Sequence, residues 1–168
     1  MVANWLFFVL RFISPSQIVE SLELKKGDVV ADFGCGSGTY VFITSKIVGD
    51  RGKVYAVDIH RDILEKINRE AEKMNIINID TLLTNIEDKI QIESLSCDVV
   101  ILSNVLSEIK DIDKTLLEIK RILKPNGYVL VIDWKDLDHP MSNKRIGIVP
   151  EEKITAILAK NNFRIKKH

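Results

Sequence analysis

The sequence is poor in the residues from which metal and disulfide frameworks are built. It holds two cysteines, Cys35 and Cys97, far apart in the chain, and three histidines, His60, His139 and His168, with no ligand spacing among them. Zinc and disulfide scaffolds need clustered or regularly spaced ligands, so neither is expected, and no metal site is assigned. The two thiols suit a reducing compartment, and a cytoplasmic protein is expected. Formal net charge is zero, with 24 basic and 24 acidic side chains, so no broad basic surface is offered to nucleic acid. Long apolar runs are also missing. The uninterrupted stretch Trp5 to Leu10 is closed by Arg11 and is far too short to span a bilayer, so no stable membrane insertion is expected. A secretory leader is not expected either, because no basic segment precedes that run. Repeats and low-complexity segments are absent.

What is present is a 168-residue chain with 46% hydrophobic and 29% charged residues, enough for one domain with a real core. Apolar runs of strand length alternate with amphipathic helical segments. Strands are expected over Val29 to Phe33, Lys53 to Val57, Asn78 to Leu83, Asp98 to Leu102, Tyr128 to Ile132 and Phe163 to Lys166. Helices are expected from Ser16 to Leu22, from the glycine loop to about Val48, over Arg61 to Met74 and Ile112 to Leu123, and after Pro150. Lys124-Pro125-Asn126-Gly127 reads as a turn, since proline cannot continue a helix and Asn-Gly favours reversal. This alternation implies an α/β fold, a doubly wound, mainly parallel sheet of about six strands with helices on both faces. The N-terminal segment, residues 1–24, is expected to be helical: an amphipathic helix packed on the domain, with a substrate lid or a membrane-surface contact as other roles left open.

Ligands in such sheets bind at the carboxyl ends of the strands. Asp32 with the glycines, Asp58, Asn85, Ser103-Asn104 and Asp133 all fall at those ends. The glycines Gly34, Gly36 and Gly38 stand at alternate positions after a strand, and an acid precedes them by two residues. The dinucleotide fingerprint would need a glycine where Thr39 stands, and Asp32 would repel a pyrophosphate. A ligand carrying an ammonium group suits this loop better. Asp58, twenty residues beyond Gly38, can accept both hydroxyl protons of a ribose.

Four stretches in this order resemble the class I S-adenosylmethionine (SAM)-dependent methyltransferases, in the small-molecule and quinone-biosynthesis group. They are residues 30–38 (VADFGCGSG), 54–58 (VYAVD), 98–106 (DVVILSNVL) and 123–133 (LKPNGYVLVID). The resemblance covers roughly residues 15–166 and implies a single Rossmann-like methyltransferase domain, residues 1–168, with its core over 28–168. It further implies that SAM is the cofactor. Asp32 and the loop Gly34, Cys35, Gly36 and Gly38 would hold its methionine end. Asp58 would bind the ribose, with Ile59 against the adenine. Asn85 stands where the family usually has an aspartate near the adenine amino group, with Ile86 beside the ring. Ser103 and Asn104 would line the cleft near the sulfonium. Each polar residue has a plainer role open to it: Asp32 as a cap or loop anchor, Asp58 as a helix cap, Asn85 and Asn104 as turn residues, and Cys35 as a small filler. The histidines are expected to be solvated.

The implied reaction is in-line transfer of a methyl group to a small-molecule acceptor. The second reading is a SAM-binding regulatory or partner subunit that transfers nothing. Glu108, Asp133, Lys135 and His139 are the polar candidates for a base, none of them compelling. The sequence after strand Asp98 to Leu102 lacks the Asn-Pro-Pro-Tyr pattern associated with amino groups of nucleic acid or protein, and a thiol cluster for arsenic is also missing. Relative to the family, the C-terminal strand pair looks truncated. Either Phe163 to Lys166 pairs directly beside Tyr128 to Ile132, or another subunit completes the sheet edge as a homo-oligomer. The acceptor pocket is expected from the N-terminal segment and the loop Trp134 to Val149.

Overall fold

A computed structural model describes residues 3–9, 14–133 and 149–167. Seven strands form one sheet: β1 (Ala3–Val9), β2 (Val29–Phe33), β3 (Lys53–Asp58), β4 (Ile79–Leu83), β5 (Cys97–Ser103), β6 (Leu123–Asp133) and β7 (Phe163–Lys167). Their order across the sheet is β4-β3-β2-β5-β6-β1-β7, and every pairing is parallel. Among the described residues five α-helices accompany them: α1 (Pro15–Glu20), α2 (Thr39–Val48), α3 (Arg61–Lys73), α4 (Ile112–Ile122) and α5 (Glu151–Lys160).

The central strands are nearly continuous apolar runs because both their faces are covered. Successive residues take opposite sides of the sheet. Val30, Val99, Ile101, Leu130 and Ile132 pack with Ile18 of α1, Val41 of α2 and Ile67 of α3. Their neighbours Ala31, Val100, Leu102, Val129 and Val131 pack with Leu116 and Ile119 of α4 and Ile154 and Leu158 of α5. The doubly wound expectation therefore holds, with α1 to α3 on one face and α4 and α5 on the other. Local signals fix the helix starts. Ser14 and Gln17 form a reciprocal capping box with Pro15 in the first turn of α1, and Asp111 caps α4 through the Lys114 N–H.

Three expectations are corrected. Residues 3–9 form a strand rather than a helix. A short unbroken apolar run has no 3.6-residue stripe, and its aromatic and β-branched content suits a strand between two others. The sheet accordingly has seven strands rather than about six. The C-terminal strand neither pairs beside β6 nor leaves that edge to another subunit, because β1 lies between them, pairing Trp5 with Val129 on one side and with Ile165 on the other. Third, the Lys124 to Gly127 turn is absorbed into β6. Cys97 faces Leu123 while Val99 faces Tyr128, so the turn is a bulge on one strand, with Asn126 at φ 70°. The loop Trp134 to Val149 falls, apart from Val149, outside the described residues, and so do Lys135, His139 and His168.

The placement of β1 is directly testable by hydrogen exchange. Backbone amides of residues 4–9 are expected to be protected about as strongly as those of residues 128–132, because both rows lie inside the sheet. Exchange of residues 4–9 at the rate of a free peptide would remove β1 from the sheet.

Candidate functional site

The strands β2, β3, β4 and β5 end at one rim, and a pocket of about 700 Å³ opens there. The chain order reverses direction across the sheet between β2 and β5, which is where such folds leave a crevice. Asp32, Gly34, Cys35, Gly36, Asp58, Ile59, Asn85, Ile86, Ser103 and Asn104 all line this pocket. Gly38 does not. It begins α2 at φ 77°, and a Cβ there would stand 3.1 Å from Ile67 and Phe42, so its lack of a side chain serves helix packing.

The loop after β2 is fastened from two directions. The Gly34 and Cys35 N–H groups donate to the Val57 carbonyl at 2.8 and 3.1 Å. The Gly36 N–H donates to Asp58 Oδ2 at 3.1 Å. Gly34 has φ 71°, and a Cβ on it would lie 2.7 Å from Val105 Cγ2. Any side chain there would collide with the residue that follows Asn104, so this position needs glycine for conformation and for space.

Asp32 is the most exposed to physical penalty, because it is the least exposed to solvent. It is 1% accessible, and neither carboxylate oxygen has a hydrogen-bond partner among the described residues. Burial first, and then the nearby Asp58 carboxylate, push its pKa up to about 7. A buried acid without a partner, facing a pocket, is half of an ion pair. Asp58 is also buried but well supplied. Its Oδ1 accepts from the His60 N–H at 2.9 Å and lies 2.9 Å from His60 Nδ1, and its Oδ2 holds Gly36.

The remaining rim is quieter. The Asn85 side-chain oxygen accepts from the Glu87 N–H at 3.0 Å, the turn role that was open to it, while the side chain still lines the pocket. Asn104, at φ 54°, donates from Nδ2 to Ser103 Oγ at 3.1 Å, and its Oδ1 is buried without a partner among the described residues. Burial raises the Tyr40 hydroxyl pKa, opposed by its hydrogen bond with Ser103. Burial, with Asp32 and Asp58 adding to it, also pushes the Cys35 thiol up, which disfavours the reactive thiolate. Sequence reasoning missed Tyr40, and His60 is solvent-exposed as expected although it also touches Asp58. Tyr40 lies only two residues beyond the last loop glycine, and His60 two beyond Asp58, which were the available signals.

Residues 24–162 match the family model described as "Methyltransferase domain". A ubiquinone/menaquinone biosynthesis C-methyltransferase UbiE from Haemophilus ducreyi is 31% identical over 144 residues, 84% of this chain and 55% of that protein. The corresponding protein of Pseudoalteromonas translucida is 30% identical over 129 residues, covering 76% of this chain and 51% of its own. The crystal structure of a SAM-dependent methyltransferase from Aquifex aeolicus superposes with a TM-score of 0.77 at 29% identity, covering 88% of this chain and 78% of that one. The chain belongs to the class I SAM-dependent methyltransferase family. It spans about half the length of the curated relatives it matches.

The methyltransferase pocket fits its family's cofactor on grounds internal to this structure. SAM carries an ammonium group, which the orphaned Asp32 carboxylate lacks as a partner, and the loop beside it has no side chain at Gly34 or Gly36 to obstruct a ligand. No helix among the described residues is long and apolar enough to cross a membrane.

The state of Asp32 has a pH signature. Its folded pKa is above its ordinary value of 3.8, so protonated Asp32 stabilises the ligand-free fold below about pH 4, and this stabilisation is lost as pH rises through about 7. Asp32→Asn removes the charge. Its stability relative to wild type, from urea denaturation without ligand, is expected to rise by roughly 1–4 kcal/mol between pH 4 and pH 8. A pH-independent difference would show that Asp32 is not a destabilised buried acid.

Proposed function

We propose that this chain transfers a methyl group from SAM to a carbon of a small-molecule acceptor with an apolar body. The observation that carries the reading is the buried, unpartnered Asp32 carboxylate beside the Gly34–Gly36 bend, with Asp58 at the end of the adjacent strand. The names of relatives that methylate carbon in quinone biosynthesis support the acceptor class. The two free, buried cysteines support a reducing, cytoplasmic setting.

SAM, when bound, supplies a methyl group already activated by a positive sulfur. The chain's residues then have to bind, orient and exclude water. Asp32 takes the ammonium group and is held ionised by it. Asp58 keeps Gly36 in place with one oxygen and offers its remaining lone pairs to the ribose hydroxyls. Ile59 and Ile86 cover the adenine ring, Asn85 accepts from its amino group, and Ser103 and Asn104 border the reacting end.

A base is needed only where the acceptor carries a proton that must leave. Four carboxylates line the pocket: Asp32, Asp58, Glu87 and Glu108. The first two serve the cofactor, and Glu87 accepts the Asp111 N–H. Among the carboxylates of the described residues, Glu108 is the one left to accept a proton within this pocket.

Calorimetric titration of Asp58→Ala with SAM is expected to show affinity about 10- to 100-fold below wild type, the loss of hydrogen bonds to a charged group. Equal affinity would end the ribose assignment. Wild type that binds SAM yet yields no S-adenosylhomocysteine across hydroquinone and other aromatic acceptors would replace the enzyme with a SAM-binding subunit.

A further inference from the structure

A second cavity, of about 160 Å³, lies between α4, α5 and the ends of β5 and β6. Its walls are almost wholly aliphatic, with Leu102, Leu106, Leu116, Val131, Ile154 and Leu158 contributing. Apolar space of this size suits a small hydrocarbon group: a cavity of about 150 Å³ in another protein accepts benzene. Two features separate it from a simple packing defect. Ile109 and Lys110 wall both this cavity and the cofactor pocket, so the two spaces share a wall there. Leu102 and Ser103 are consecutive in β5 and take opposite faces of the sheet, one lining the apolar cavity and the other the cofactor pocket. The second feature is charge. Lys110 and Lys153 are exposed and line this cavity, and their ammonium groups take part in no ion pair or hydrogen bond among the described residues.

We infer that this cavity binds the hydrocarbon part of a small anionic acceptor, with Lys110 and Lys153 attracting its negative group. The inference rests on the methyltransferase reading for the word acceptor, while the binding chemistry rests on the cavity itself. A benzene-sized ring or branched five-carbon unit fills the void. The anionic group stays at the wet rim, where two ammonium groups without partners lower its energy. The shared wall at Ile109 and Lys110 is the side on which the rest of such a molecule would face the cofactor pocket.

The probe is 4-phenylbutyrate, compared with its uncharged amide, titrated into the full chain and followed by ligand-observed saturation-transfer NMR. Wild type is expected to bind the acid at millimolar concentration or below, and the amide at least three-fold more weakly. The Lys110→Gln/Lys153→Gln pair, both on the surface, is expected to abolish that difference. Ile157→Trp, which fills the cavity, is expected to abolish binding of both probes and leave S-adenosylhomocysteine affinity unchanged. Absence of acid binding to wild type, equal binding of acid and amide, or a difference that persists without the lysines would each overturn the inference. Calorimetry with S-adenosylhomocysteine in parallel keeps the two readings apart. Loss of that binding in wild type counts against the methyltransferase, whereas intact binding with no probe bound counts against the cavity alone.

Discussion

A carboxylate buried without a counter-charge is the constraint on which the site depends. Asp32 stands on β2, the strand between β3 and β5, with apolar residues before and after it. An ordinary core would place a hydrophobic side chain there. The cost of the acid is borne by the surrounding packing, which is dense enough to keep both oxygens from solvent. A cation arriving in the pocket reverses the sign of that contribution. The Asp32 penalty on the empty fold is thus fullest above about pH 7, and ligand charge and fold stability become coupled through one residue.

Asp58 plays the complementary part. It is also buried but already engaged by Gly36 and His60. Its carboxylate raises the pKa of Asp32 and simultaneously holds the loop that shapes the pocket. One side chain therefore tunes both the electrostatics and the backbone of the cradle. Gly36 lies open to the pocket while its N–H is held from the β3 side, and the nearest atom to the place where a Cβ would stand is the Gly34 carbonyl oxygen, 3.9 Å away.

Much of this was legible in the sequence because the relevant signals are local. The alternation of strand-length and helix-length patterns yields the parallel sheet, and the carboxyl-end rule then gathers Asp32, Asp58, Asn85 and Ser103-Asn104 at one rim. Chemistry at single positions distinguished the loop from a dinucleotide site. The failures are non-local. A six-residue apolar run such as Trp5 to Leu10 supports either a strand or a buried helix, and only its partners β6 and β7 decide. The role of Gly38 depends on Ile67, almost thirty residues on, and no spacing rule reports that contact. Likewise the apolar cavity is made by residues of β5, α4, β6 and α5 that each read as plain core.

The direction of β1 has a consequence for the site. A strand inserted beside β6 in the antiparallel sense would leave the sheet at the rim opposite the pocket. β1 is parallel, and its last pair, Val9 with Asp133, lies at the carboxyl ends. The chain therefore leaves β1 on the same side as Asp32, Asp58 and Ser103. Only residues 10–14 separate it from α1, whose first residue, Pro15, lines the cofactor pocket. The capping box at Ser14 and Gln17 then turns the chain away, with Ile18 and Val19 buried against the sheet. The same segment that fills the slot between β6 and β7 thus also supplies part of the pocket's border. Sheet completion and pocket closure are two results of one strand orientation.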